Sequence, residues 1–335
     1  MQLKQKAQYV PMHLGSLSYK TKQFFLLLIK LSIVVGAFYF IYKKLTDNDE
    51  LDVHVFIQFL RENEAFSIKI VCFLFFLTIF NWVLEILKWK TLVATIEQIS
   101  FKNALEQSLG SLTASLFTPN RIGEYGAKAI YYNSGQRKKI VLLNLLSNIM
   151  QMGTTTLFGI VGLLLLNSKY DLPVDYYKVT RFLVVLVIIL IFTAIGVKQD
   201  RFKIKGFSIE RILKFFKNVG IKTKVTAALL SVLKYLVFSF QFYVLLRLFG
   251  VHVSYFNAMI VITSMYLLAS VIPSVFIFDV VIKSSIAVYL FSIVGVNDFT
   301  TLSVVTLMWL LNFVLPSLFG SYYVLNFNLP KDQNS

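Results

Sequence analysis

Ala114-Ser115-Leu116-Phe117-Thr118-Pro119-Asn120-Arg121-Ile122-Gly123-Glu124-Tyr125-Gly126-Ala127-Lys128 lies inside an apolar stretch, and a second apolar stretch repeats its spacing. There, Ala269-Ser270 is followed by Pro273, Asp279 and Lys283. In both copies the acid stands ten residues after the alanine, and the lysine four residues after the acid. The copies are offset by 155 residues, and only the proline shifts, by one place. A repeat with a proline break and charges inside apolar sequence predicts broken helices lining a transport pathway.

The surrounding composition places this repeat in a membrane. Hydrophobic residues make up 57% of the 335, charged residues 15%, and the mean hydropathy is +0.70. Residues 24–42, 66–87, 140–166, 182–197, 225–249 and 300–326 are each long enough, or nearly so, to cross about 30 Å of hydrocarbon as a helix. A soluble fold of this length could not hide that much apolar surface. The first stretch reads as a retained span, because it has no small-x-small cleavage site and Lys43 and Lys44 follow it directly.

Metal, cofactor and nucleic-acid chemistry find little support. The single cysteine, Cys72, excludes an intrachain disulfide, and His13, His54 and His252 lie outside the spans. No His-Glu helix motif, Gly-rich phosphate loop or paired aspartates are present. No metal site and no cofactor are therefore expected. The net charge of +16 suits cytoplasmic loops facing anionic lipid better than nucleic acid.

With six crossing segments and two hairpins that dip in and return, one side of the membrane collects 20 lysines and arginines in its loops and the other 6. The positive-inside rule then puts both termini in the cytoplasm, in a cell (plasma or inner) membrane. The expected plan is a cytoplasmic segment 1–23, a first repeat 24–166 with hairpin 103–133, a second repeat 167–326 with hairpin 257–296, and a cytoplasmic tail 327–335. Each repeat crosses an odd number of times, so the second enters upside down. The fold class expected is all-α integral membrane, with about six transmembrane helices and two broken re-entrant hairpins in two inverted repeats. Two amphipathic stretches flank it. One runs from Ser208 with Ile209, Ile212, Leu213 and Phe216 as its apolar stripe, and the other carries Val53, Phe56, Ile57 and Leu60.

Pro119 and Pro273 mark the two hairpin breaks, and Gly123 allows close backbone packing beside the first. A helix starting at Pro119 is expected to aim free N–H groups at the break. Arg121, Glu124 and Lys128 follow a spacing of three and four and so share a helix face. One carboxylate between two cations leaves a net positive site, suited to phosphate. Charges inside a membrane cost about 2.5–3.5 kcal/mol each, which favours a functional reading over a salt-bridged clasp. Asp279 and Lys283 form the leaner counterpart. Glu85, Lys88, Lys90, Trp82 and Trp89, at the end of the second span, read as interfacial anchors.

Thr118 to Ala129 resembles the lysylphosphatidylglycerol synthase transmembrane-domain family, whose pattern there is roughly Thr-Pro-Gly-Arg-x-Gly-Glu. Asn120 stands in place of the middle glycine. Glu85-Ile-Leu-Lys-Trp-Lys-Thr-Leu is similar to that family's Arg-Trp-rich stretch. The family's second motif, Pro-Gly-Gly-x-Gly-x-x-Glu, is reduced here to Pro273 and Asp279. The resemblance implies a flippase-like domain moving a phospholipid or other anionic-headgroup lipid between leaflets. Arg121, Glu124, Lys128, Asp279 and Lys283 are then the expected substrate-binding residues. No catalytic residue is recognised, and no synthase domain is expected after the last span. Membrane lipids, and a separate lipid-modifying enzyme, are the expected partners. The alternatives are a membrane enzyme acting on a lipid-linked substrate and an ion-coupled small-solute transporter.

Overall fold

The computed structural model describes residues 28–32, 34–36, 39, 53–62, 67–116, 118, 121–170, 209–271 and 278–328. Among them there is no strand. The helices are α1 (Val53–Glu62), α2 (Ile68–Val93), α3 (Phe101–Ser115), α4 (Gly123–Ala129), α5 (Ser134–Tyr170), α6 (Ile209–Asn218), α7 (Ile221–Leu248), α8 (Tyr255–Val271), α9 (Phe278–Ile293), α10 (Asp298–Trp309) and α11 (Leu315–Asn326), with a π-helical turn at Leu310–Val314 joining the last two. Four helices are long and apolar enough to cross a membrane: α2, α5, α7 and the continuous α10–α11 rod. Of the two other expected spans, 182–197 lies outside the described residues. Within 24–42, residues 28–32 and 34–36 are helical, and the Lys30 ammonium donates to the Leu325 carbonyl at 3.0 Å.

Local chemistry sets several boundaries. The Ser100 hydroxyl accepts from the Asn103 N–H at 3.1 Å and starts α3. The Asn297 side chain does the same for α10, accepting from Phe299 N at 2.8 Å. α7 and α9 each stop at a left-handed glycine, Gly250 (φ 74) and Gly295 (φ 76). In each, the next residue's N–H returns to a carbonyl five residues back, Val251 to Leu246 and Val296 to Phe291, both at 3.0 Å. The π-turn has an identifiable cause. Pro316 has no N–H to offer the Asn312 carbonyl, so the helix widens there and the Trp82 indole donates to that carbonyl at 3.1 Å.

The bundle exposes apolar side chains and buries polar ones within an otherwise apolar core. Phe73, Phe76, Ile79 and Phe80 of α2, Leu157, Ile160, Val161 and Leu164 of α5, and Phe319 and Tyr322 of α11 are exposed. Thr78, Asn81, Gln107, Asn144, Gln241 and Asn312 are buried. That inversion is stable only where lipid covers the outer surface.

Three antiparallel pairings dominate the packing: α5 with α8, α2 with α7, and α3 with α11. Small residues make two of them close. A Cβ on Gly159 or Gly162 would collide with Leu267 or Thr263 of α8, and one on Gly320 with the Leu109 backbone and Thr113 of α3. Polar bonds hold the third. Gln241 of α7 donates to the Thr78 hydroxyl at 2.9 Å and to the Leu74 carbonyl at 3.2 Å. Asn312 donates to Gln241 at 2.9 Å and accepts from Asn81 at 3.0 Å, so α2, α7 and the π-turn share one amide clasp.

Of the amphipathic stretches, α1 buries Phe56 and Leu60 while Ile57 stays exposed. In α6, Phe215 and Phe216 pack against the core and Leu213 is exposed.

Candidate functional site

Thr118 organises the turn between α3 and α4. Its hydroxyl donates to the Ser115 carbonyl at 2.7 Å and accepts from the Gly123 N–H at 3.0 Å. A Cβ on Gly123 would stand 2.9 Å from the Thr118 methyl and 3.2 Å from the Ala114 carbonyl, so the turn closes only over glycine. This corrects the expectation of free N–H groups at the start of the second arm. The Gly123 N–H is capped within the turn, and α4 is only seven residues long. Pro119 and Pro273 lie outside the described residues.

Arg121 sits just before α4 with φ 56, a left-handed conformation uncommon for a residue with a side chain. That backbone turns its guanidinium back to Glu124. Arg121 Nη2 donates to Glu124 Oε2 at 2.8 Å, and Lys128 Nζ pairs with Glu124 Oε1 at 2.8 Å. The two cations differ in access. The Arg121 side chain is 36% exposed and that of Lys128 only 1%. Lys128 also donates to Asn144 of α5 at 2.9 Å and lies 4.2 Å from the centre of the Trp89 ring of α2. Arg121 lies over the Phe313 ring of the π-turn at 5.8 Å.

A second charge cluster adjoins the first across α2. Lys88 pairs with Glu85 at 2.8 Å, and Lys234 of α7 pairs with the same carboxylate. Glu85, Lys88 and Trp89 are buried inside the bundle, not set at an interface as the sequence suggested. They sit on the face of α2 turned toward α5 and α7, where Lys88 reaches Gln151 at 3.5 Å. The Trp89 indole and the Tyr132 hydroxyl both donate to Gln107 of α3, each at 2.8 Å, which ties α2 to the hairpin.

Four cations and two carboxylates thus converge from α2, the α3–α4 hairpin and α7, with a formal charge of +2. Each carboxylate lies between two cations. α5 lines the same region with Asn144, Ser147, Asn148 and Gln151, and Asn148 donates to the Tyr125 hydroxyl at 2.9 Å. Within this region Arg121 Nε, Asn144 Nδ2 and the Ser147 hydroxyl are buried and find no partner among the described residues. Asp279 and Lys283 are on α9, and their side chains lie outside the described residues. Among the described residues no group of histidine, cysteine and carboxylate side chains could hold a metal ion.

An apolar exterior, four helices able to cross a bilayer and polar and charged side chains buried between them define a multi-pass α-helical membrane protein. The chain belongs to the family described as the lysylphosphatidylglycerol synthase TM region, whose model matches residues 24–320. Comparison with curated proteins and with solved structures gives no match.

Proposed function

We propose that this protein moves a phospholipid or other lipid with an anionic headgroup between the two leaflets. The observation that carries the reading is the buried network of net charge +2 at Glu85, Lys88, Arg121, Glu124, Lys128 and Lys234. A positive, polar network held between apolar helices suits a phosphate whose acyl tails stay in lipid. Arg121 is the phosphate-facing cation, because a third of its side chain is open and its planar fork can grip two oxygens. Lys128, sealed between Glu124, Asn144 and Trp89, holds the arginine's partner in place. Asp279 and Lys283 serve the opposite access state from the second hairpin.

The packing supports two inverted repeats. α2 corresponds to α7, α3–α4 to α8–α9, and α5 to α10–α11. The hairpin of each half packs on the last span of the other, α3 on α11 and α8 on α5. The α2–α7 pair is antiparallel, since Leu74 and Thr78 meet Gln241 while Glu85 meets Lys234. Equivalent helices run antiparallel when the repeat axis lies in the membrane plane and parallel when it lies along the normal. At 1.5 Å per residue, the seven residues of α4 span about 10 Å, too short to cross and consistent with a re-entrant arm.

Purified protein in vesicles carrying acyl-labelled lipid tests the reading. Redistribution of an anionic lipid above the rate in empty vesicles is expected. Equal rates with and without protein would overturn it.

A further inference from the structure

The end of the bundle at α6 combines unpaired charge, an open apolar side chain and a fixed height relative to lipid. The height comes from α7. Ile221, Val225, Leu229, Leu233, Leu236 and Phe240 are exposed and fall on one face of that helix. At 1.5 Å per residue this stripe is about 28 Å long, close to the thickness of the hydrocarbon. Its far end meets Tyr243 and Tyr255, whose rings lie 5.1 Å apart and whose chemistry suits a membrane boundary. The hydrocarbon therefore begins at Ile221, and α6, which ends at Asn218, lies at its edge. Phe215 and Phe216 pack onto a cluster that includes Ala129 of α4 and Ile140 of α5. Lys224 of α7 donates to the Phe216 carbonyl at 3.3 Å, so α6 is fastened to the bundle. By helical periodicity Leu213 falls between Phe216 and Lys217, and it is 59% exposed, outside that packing. At the same end of the bundle Lys214 and Lys217 of α6, Lys138 and Lys139 of α5 and Lys222 of α7 are exposed. None of these five pairs with a carboxylate among the described residues. Glu210 is the one acid of α6.

We infer that α6 is an interfacial helix that docks on the anionic lipid of the leaflet at its end of the bundle. Leu213 enters the boundary of the hydrocarbon, and the five lysines gather anionic headgroups against the protein. The partner is a lipid surface and not an acidic protein, because the lysines stand at the level of the headgroups and an open leucine stands among them. Since α6 packs beside Ala129, the lipid it gathers lies next to the α3–α4 hairpin. The inference goes beyond the translocation reading and uses none of the residues of the buried charge network.

The test uses the full chain with Cys72→Ser and a fluorophore on Leu213→Cys, in phosphatidylcholine vesicles. A small, equal fraction of spin-labelled phosphatidylglycerol or spin-labelled phosphatidylcholine serves as the quencher. At low salt the phosphatidylglycerol label is expected to be enriched at the probe about fivefold over the phosphatidylcholine label, the worth of about one lysine near the surface. Molar salt should bring the two close to parity, because exposed charges are screened. Lys214→Gln with Lys217→Gln should do the same at low salt with an unchanged melting temperature, since both side chains are exposed and unpaired. A probe at Phe256→Cys, at the opposite end of the bundle, should show no preference. Equal quenching by the two lipids at 213, or an equal preference at 213 and 256, would overturn the inference. So would a preference that survives both salt and the double substitution. A probe at 213 that neither lipid quenches and aqueous iodide reaches freely would place α6 in water, as the face of a soluble partner, and would overturn it too. Lipid movement between leaflets does not enter the readout, so the translocation reading stands or falls separately.

Discussion

Lys128 and Arg121 flank the same carboxylate, yet the structure predicts opposite consequences of removing them. Lys128→Met keeps the side-chain volume and deletes the charge. The Lys128 side chain is 1% exposed, so water cannot replace it against Glu124, and Asn144 loses its donor as well. Breaking a buried pair from one side costs roughly 3–5 kcal/mol. Arg121 is 36% exposed, so its ion pair is screened and contributes about 0.2–1 kcal/mol. Its φ of 56 also stores strain of about 1–2 kcal/mol that a glycine would relieve. Arg121→Gly should therefore fold with near-normal stability, whereas Lys128→Met should melt clearly lower in detergent. Adding Glu124→Gln to Lys128→Met removes the stranded charge, so the double variant should lose less than the sum of the singles. Thermal unfolding in detergent, followed by fluorescence or by aggregation, compares wild type with Arg121→Gly, Lys128→Met, Glu124→Gln and the double variant. A normal Lys128→Met protein, or strictly additive losses, would refute the idea that Lys128 is a sealed structural partner.

Three further predictions follow from the packing. Gly320→Ala drives a methyl into the Leu109 backbone and should cost about 1–3 kcal/mol in thermal stability, while Gly126→Ala, with open space around it, should be neutral or slightly stabilising. Asn312→Leu strands the Asn81 and Gln241 amides, and a thermal shift equivalent to about 1–3 kcal/mol per orphaned group is expected, with the Trp82 bond to the residue 312 carbonyl retained. For topology, with exposed Cys72 first replaced by serine, cysteine at Gln136 should resist an impermeant reagent in intact cells and cysteine at Asp298 should react. Asp298 is preferred to its neighbour because Asn297 caps α10. The reverse labelling would invert the bundle.

The sequence made the membrane class and the first charged motif legible because both are local. Arg121, Glu124 and Lys128 stand three and four residues apart, and helical geometry alone brings them together. Glu85 and Lys234 are 149 residues apart, and their pairing depends on α2 and α7 lying antiparallel. The available signal was chemical. A lysine inside an apolar span needs a carboxylate, and few were on offer. Reading Glu85, Lys88 and Trp89 as interfacial missed this because span ends were placed by hydropathy, and α2 continues to Val93 with its charges turned inward. The amide clasp was hidden for the same reason of distance, although Pro316 four residues after Asn312 announced a carbonyl in need of a donor. Trp82, read as an anchor, supplies it.

The most direct test of the central claim, that the buried positive network carries an anionic headgroup across the membrane, compares wild type with Arg121→Gly in vesicles holding acyl-labelled phosphatidylglycerol. The label in the outer leaflet is followed by membrane-impermeant quenching. Wild type should expose the inner-leaflet pool far faster than protein-free vesicles, and the variant, at matched density and with a normal melting temperature, should fall back to the protein-free rate. A folded Arg121→Gly protein that moves the lipid as fast as wild type would contradict the account.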